Sequence, residues 1–275
     1  LAMYAEHMNT LMTDNDSILE DFRNMISQKY SQPRPRLLVL LGSPAFTLRD
    51  EYRKFWGDIP IVLCSEEDFQ GPQKSYFKKQ AIAPADRIPI AQFADPYNMV
   101  FLYSNLYLRE NVQLINHINP NLKKFIFIGD EREINLSNNL DIEDELKTSH
   151  PHIEYQFITP KKMTTNQLLD SLYRIDSKTT GVLFASWFYK TTFAGNSSLV
   201  ANDHKLIVTT TAPLFTLNMT DITEENGGMI GGYTYNQKKY NQKLVHAISS
   251  ILQGKQAREL PFYIPSDGRP IINHT

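Results

Sequence analysis

The sequence predicts an α/β protein of two lobes, each a parallel sheet flanked by helices. Three observations carry this expectation. Short continuous apolar runs are bounded by turn residues, the pattern of strands buried on both faces. Amphipathic segments of helical period separate those runs. An irregular stretch from Asp68 to Tyr97, with Pro72, Pro84, Pro89 and Pro96, interrupts the series before a second one starts at Leu106.

Taken in order, Ser17 to Tyr30 reads as a helix. Ile18, Leu19, Phe22, Met25 and Ile26 share one face, and Asp16 or Ser17 can cap its start. The first strand is the run Arg36 to Leu41, ended by Gly42-Ser43-Pro44. The next is Ile59 to Cys64, followed by the acidic group Glu66-Glu67-Asp68. Leu106 to Ile118 repeats Leu108, Val112, Ile115 and Ile118 at helical spacing. Further strands are predicted over Lys124 to Gly129, Ile153 to Ile158, Gly181 to Ala185 and Lys205 to Thr209. Helices follow from Leu168, Leu169, Leu172 and Ile175 within Thr164 to Ile175, and from Leu244, Ala247, Ile248 and Ile251 within Tyr240 to Leu252. Gly254 is a natural stop for the last one.

The glycine cluster Gly227-Gly228-Met229-Ile230-Gly231-Gly232 suits a backbone crossing, because glycine tolerates unusual angles and close approach. Two series and a late helix place residues 1–104 and 234–260 in an N-terminal lobe, and 105–233 and 261–275 in a C-terminal lobe.

Composition excludes several classes. With 28 Lys+Arg against 30 Asp+Glu the net charge is −2, without the basic excess of a nucleic-acid binder. No apolar stretch is long enough to span a bilayer, so membrane contact is expected only through segments outside this sequence. One cysteine, Cys64, rules out an intrachain disulfide and a multi-cysteine zinc site, and it closes an apolar run as a buried inert thiol would. The seven histidines are scattered, and only His150 and His152 are close, flanking Pro151 in what reads as a surface turn. No metal and no cofactor are expected. Gly42-Ser43-Pro44 lacks the Lys-Ser/Thr of a phosphate loop, and no Gly-x-Ser-x-Gly elbow occurs. No nucleophile or acid–base set converges, so the sequence predicts no enzyme.

Several residues remain as ligand contacts. In open parallel sheets, ligands sit beyond the carboxyl ends of strands. Ser43 and Pro44 follow the first strand, and Glu66 and Asp68 follow the second, where a plain solvated loop is an equal reading. Asp130 follows the run 124–129. Ser186-Trp187-Phe188-Tyr189 follows the run 181–185, and Trp187 and Tyr189 are expected to offer aromatic faces to a ligand. Thr211, Asp221 and Tyr233 sit after strands or near crossings.

The ordered motifs together resemble a known group. They are Leu38 to Pro44, Ile59 to Cys64 with its acidic loop, and Ile118-Asn119-Pro120-Asn121-Leu122-Lys123-Lys124 leading into Phe125 to Gly129. Thr179 to Ser186, Pro213-Leu214-Phe215-Thr216, Gly228 to Tyr233, Leu252 to Ala257 and Leu260-Pro261 complete the series. This order resembles the type I periplasmic-binding-protein fold, in the ABC-transporter substrate-binding-like group, over roughly Leu1 to Pro261. The group includes extracytoplasmic sensor domains of membrane histidine kinases. The resemblance implies a ligand between two lobes that close over it, a periplasmic location and a small-molecule partner. It also implies a homodimer in a full-length sensor. A free solute-binding protein of an ABC transporter is the alternative. It further implies that the chain opens at the family's second strand, Ala2 to His7, without the first strand–helix unit, and that 262–275 leads toward a membrane segment.

Overall fold

The computed structural model describes residues 2–8, 16–193, 196–200, 207, 213–222 and 229–273. The chain separates into two compact units, Leu1–Ser104 with Gln237–Ser266, and Asn105–Asn236 with Asp267–Thr275. The elements of the first unit are α1 (Asp16–Lys29), β1 (Leu38–Leu41), α2 (Ser43–Phe46), α3 (Arg49–Trp56), β2 (Ile61–Ser65), β3 (Phe69–Gln70), α4 (Gln73–Phe77), β4 (Ile88–Pro89) and β5 (Met99–Tyr103). Those of the second are α5 (Leu108–Ile118), β6 (Lys124–Ile128), α6 (Glu133–Ser149), β7 (Glu154–Ile158), α7 (Thr165–Tyr173), β8 (Thr180–Phe184), β9 (Tyr189–Phe193), β10 (Asn196–Val200), β11 (Leu214–Thr216) and β12 (Gly231–Tyr235). The chain then returns to the first unit with α8 (Gln237–Leu252) and β13 (Tyr263–Pro265), and ends in the second with β14 (Gly268–Ile272).

The first unit's sheet has the order β1-β2-β5-β13, all parallel. β2 is buried along its whole length, as its apolar run predicts. β1 departs from that expectation: Val39 is 40% and Leu41 72% exposed, because β1 is the edge of the sheet and one face is open. β5, which the sequence reading leaves unassigned between the irregular stretch ending at Tyr97 and the series starting at Leu106, lies between β2 and β13. α1 packs Leu19 and Ile26, with Phe22 and Met25, into the core around Phe46, Leu63 and Phe101. The turn from β1 into α2 passes through Gly42 at φ 84, in the left-handed region that glycine occupies without steric cost.

Two expectations are corrected here. Residues 2–8 form no strand. They lie along the end of α1, where Lys29 Nζ meets Glu6 at 2.6 Å and the Tyr4 ring sits 5.8 Å from Tyr30, so side-chain contacts take the place of sheet pairing. The tail, expected whole in the second lobe, divides: β13 pairs with β5, and only β14 joins the other sheet.

The second unit's sheet has the order β14-β12-β11-β8-β6-β7, parallel except for the antiparallel β12–β14 pair. One face packs Val112, Ile115, Phe125, Phe127 and Leu183. The other packs Ile126, Ile128, Leu168, Leu172 and Phe184. A Thr164 capping box with Gln167 starts α7. The sequence reading does not single out α6, and the cause is visible in its buried side: Glu133, Asn135, Ser137 and Asn138 are buried beside Ile142 and Leu146, so no apolar stripe marks its first turns. The strand expected over 205–209 lies outside the described residues except for Ile207, which is helical and fully buried.

Candidate functional site

In the first unit, a buried serine stands at or within two residues of the end of each of the strands β1, β2 and β5: Ser43, Ser65 and Ser104, at 1%, 3% and 6% exposure. The hydroxyls of Ser43 and Ser65 lie 3.0 Å apart. The Glu67 backbone N–H donates to Ser65 Oγ at 3.0 Å. Ser104 donates to the Ser65 carbonyl through its backbone N–H at 2.9 Å and its hydroxyl at 3.1 Å. Backbone polar groups released at strand ends are thus paired locally. Ser43, expected as a contact, belongs to this row, and Pro44 sits in the first turn of α2 behind it. Of the acidic group, Glu66 and Asp68 point to solvent while Glu67 is buried. The extended backbone alternates its side chains, so the expected pair and the buried residue between them face opposite ways.

In the second unit a corresponding polar row crosses the ends of β6, β8 and β11. Asp130, Ser186 and Asn218 each lie two residues beyond a strand. Asp130 is 1% exposed and fully engaged. Its Oδ1 accepts from Asn135 Nδ2, the Arg132 backbone N–H and Arg132 Nε, each at 2.9 Å. Its Oδ2 accepts from Ser186 Oγ at 2.8 Å and from Arg132 Nε at 3.1 Å. Asn135 also donates to Ser186 Oγ at 2.8 Å. Asn218 donates to the Ala185 carbonyl at 2.9 Å, tying the end of β11 to that of β8. Arg132 offsets the buried carboxylate charge with its Nε edge, lies 5.3 Å from the Phe188 ring, and is 35% exposed. Ionic and hydrogen-bonded pairing of this kind is what lets a carboxylate stay buried.

Other expected contacts take structural roles. Trp187 is fully buried in the core beside Phe184 and Leu168, with its Nε1 donating to Thr165 Oγ1 at 3.0 Å. It cannot present a ring face, so the aromatic platform expected from it is corrected. Its indole fills core volume, and the half-buried Phe188 carries the ring that meets Arg132. Tyr189 opens β9 and is half-buried. Asp221 is buried and accepts from Thr216 Oγ1 at 3.0 Å. Thr211 lies outside the described residues.

Tyr233 is held through its backbone: its N–H donates to Asn111 Oδ1 at 2.7 Å, and its carbonyl accepts from Asn111 Nδ2 at 2.8 Å. The same Asn111 amide nitrogen reaches the Tyr107 carbonyl at 3.0 Å, and the Tyr107 and Tyr233 rings lie 5.1 Å apart. The sequence alone does not mark Asn111, Arg132, Asn135, Ser186 or Asn218 as contacts. Position was the available signal: Ser186 and Asn218 follow strands as Asp130 does, and Asn135 lies five residues after it. Cys64 is buried and free, and its thiol is pushed above the usual range by burial. Among the described residues no group of three or more His, Cys, Asp or Glu side chains is placed to hold a metal.

No family model and no curated protein matches the sequence. Solved structures do match. One is a conserved domain protein from Vibrio cholerae O1 biovar El Tor, 16% identical at TM-score 0.55, covering 92% of this chain and 75% of that one. Another is the ligand-free, open structure of a substrate binding protein with adhesive properties from Clostridium difficile, 14% identical at TM-score 0.56, covering 92% of this chain and 76% of that one. A third is a 5-methylthioribose transporter solute binding protein from Thermotoga lettingae in complex with 5-methylthioribose, 10% identical at TM-score 0.53, covering 94% and 72%. The chain therefore has the α/β fold of type I periplasmic-binding-protein-like proteins, as its ordered motifs led us to expect. At these identities the likeness establishes the fold alone.

Proposed function

We propose that the chain is a non-catalytic receptor for a small polar molecule, working outside the cytoplasm. The observation that carries this reading is the row Asp130–Ser186–Asn218 across the carboxyl ends of three adjacent strands, where open α/β sheets take their ligands. Asp130 and Ser186 are held by their mutual hydrogen bond and by Asn135 and Arg132, Asn218 is tied to the Ala185 carbonyl, and the groups of this preorganised polar surface with solvent access are Arg132 and Asn218. Solute-binding neighbours of the same fold support the reading, since one holds 5-methylthioribose and another allitol. A thermal-shift screen over sugars, amino acids, nucleosides and aromatic acids tests it, because a ligand that binds only the folded state raises the melting temperature. A hit whose effect is lost in Arg132→Ala supports the reading. Turnover of that hit would overturn the non-catalytic part.

Within this reading, the protein is the extracytoplasmic sensor domain of a membrane histidine kinase, signalling by lobe closure, with a homodimer in the full-length protein. The solute-binding neighbours favour a second reading, a binding protein that delivers its ligand to a permease. The coding sequence on either side separates the two. The sensor reading expects a membrane-spanning helix and a kinase downstream, and the transport reading expects a lipoprotein leader and a neighbouring permease gene.

A further inference from the structure

β1 is the outer strand of the first unit's sheet, and among the described residues no strand pairs with its free side. The Leu38 N–H donates to the Pro60 carbonyl at 3.0 Å and the Gly42 N–H to the Cys64 carbonyl at 2.7 Å. In a parallel pair every second residue bonds to one neighbour, so Val39 and Leu41 turn their N–H and carbonyl groups away from β2. The side chains alternate as well. Leu38 and Leu40 pack into the core, while Val39 and Leu41 lie on the opposite face and are exposed. The two residues with open backbone groups are therefore the two with open apolar side chains. Edges that stay single are guarded by charged residues, proline or a bulge, and β1 carries none of these between Leu38 and Leu41.

The spacing makes this edge self-complementary. When a second copy of β1 lies antiparallel about a two-fold axis at Leu40, each Val39 faces Leu41 of the other copy. The outward N–H groups of each chain then reach the outward carbonyls of the other, and no outward group of Val39 or Leu41 is left over. Residues directly opposite share a face in an antiparallel pair, so the Val39 and Leu41 side chains of both copies close into one apolar cluster.

Charge favours the same direction. Exposed Arg34 and Arg36 precede β1, and exposed Glu66 and Asp68 follow β2 beyond the other end of the strands. An antiparallel neighbour sets the cationic end of one sheet beside the anionic end of the other, whereas a parallel neighbour sets like beside like. We propose that β1 is a homodimer interface, joining the sheets of two copies of this chain edge to edge by antiparallel pairing centred on Leu40. With only the 4 residues of β1 on each side, the contact is small, and the dimer is weak and concentration-dependent. This inference does not rest on the receptor reading of the strand-end row.

Sedimentation equilibrium on the full chain from about 10 μM to about 500 μM is expected to show a monomer–dimer equilibrium, weakened at least about tenfold by Leu41→Lys, since a charge on an edge strand opposes pairing. Disulfide trapping reads the register. Leu41 also stands beside Cys64 across β1 and β2, so every trapping variant carries Cys64→Ala. In the proposed pairing the Cα atoms of position 39 and of position 41 in the other copy lie about 5.5 Å apart, within disulfide reach, while like positions lie about 9 Å apart, beyond it. Oxidising a mixture of Val39→Cys and Leu41→Cys chains is expected to give a cross-linked dimer, and oxidising either chain alone is not. Three results would overturn the proposal. One is a chain that stays monomeric throughout that range, or a dimer that Leu41→Lys leaves unchanged. Another is cross-linking of each variant alone as readily as in the mixture, the mark of random collision or another register. The third is a dimer that is lost when the chain is extended upstream of Leu1, which would give the edge to the chain's own preceding segment. None of these touches the ligand reading, since the thermal-shift screen needs no second copy.

Discussion

The hydroxyl of Ser186 donates to Asp130 Oδ2 at 2.8 Å, joining the carboxyl ends of two adjacent parallel strands across 56 positions of sequence. The same oxygen accepts from Asn135 at 2.8 Å, so Ser186 both supports the buried carboxylate and steadies the helix behind it. Ser186→Ala removes one donor and one acceptor from a closed network. A loss of about 1–3 kcal/mol in unfolding free energy is expected, read by urea titration. Asp130→Ala is expected to cost more than Ser186→Ala, because it strips Arg132, Asn135 and Ser186 of their common acceptor. Unfolding free energies of both variants equal to that of the unsubstituted chain would show that the network carries no weight.

Asn111 serves three carbonyls and one N–H with a single amide. Asn111→Leu keeps the volume and strips the Tyr233 N–H and carbonyl of their side-chain partner at a fully buried position, while the Tyr107 carbonyl keeps the residue-111 backbone N–H. The expected cost is about 2–4 kcal/mol, with lost hydrogen-exchange protection at the Tyr233 amide as the specific readout.

Gly232→Ala would place a methyl 2.0 Å from the Thr216 carbonyl oxygen. That oxygen is strand backbone and cannot step aside like a side chain. A loss of about 3 kcal/mol or more is expected in thermal or chemical unfolding.

Burial raises the Cys64 thiol and the Tyr52 and Tyr155 phenols above their ordinary ranges. For each group the folded state holds its proton more tightly than the unfolded chain. Their contribution to stability is therefore complete below the ordinary thiol value and falls as pH rises through and beyond it. Stability measured from pH 7 to 11 is expected to decline on the alkaline side, and Cys64 is expected to react with a thiol reagent at pH 8 far more slowly in the folded protein than in urea. Rapid native labelling at that pH would contradict the burial.

Val39 and Leu41 expose apolar surface on the edge strand β1. Open edges of this kind pair with other chains. Val39→Thr with Leu41→Lys is expected to change stability by less than about 0.5 kcal/mol while lowering association seen by light scattering at high concentration. Unchanged scattering would remove β1 as a contact.

Several elements are legible because their signal is local. The apolar runs of β2, β6 and β8 and the periodic faces of α1, α5, α7 and α8 follow from residue order, since burial on a sheet or helix face repeats with the element's own period. Asp130 and Ser43 are legible as strand-end residues for the same reason. What the sequence could not settle is which partners those residues meet. Trp187 looks like an exposed aromatic after a strand, yet the space beneath α7 takes its indole. α6 shows no apolar stripe because its buried first turns are polar, and the amide of Asn135 among them finds its partners, Asp130 and Ser186, only when β6 and β8 stand side by side. The placement of β1 at an edge, and so the exposure of Val39 and Leu41, depends on strand order, which no single strand encodes. Periodicity is a property of neighbours along the chain, whereas pairing of buried polar atoms is a property of neighbours in space, decided by the assembled sheet.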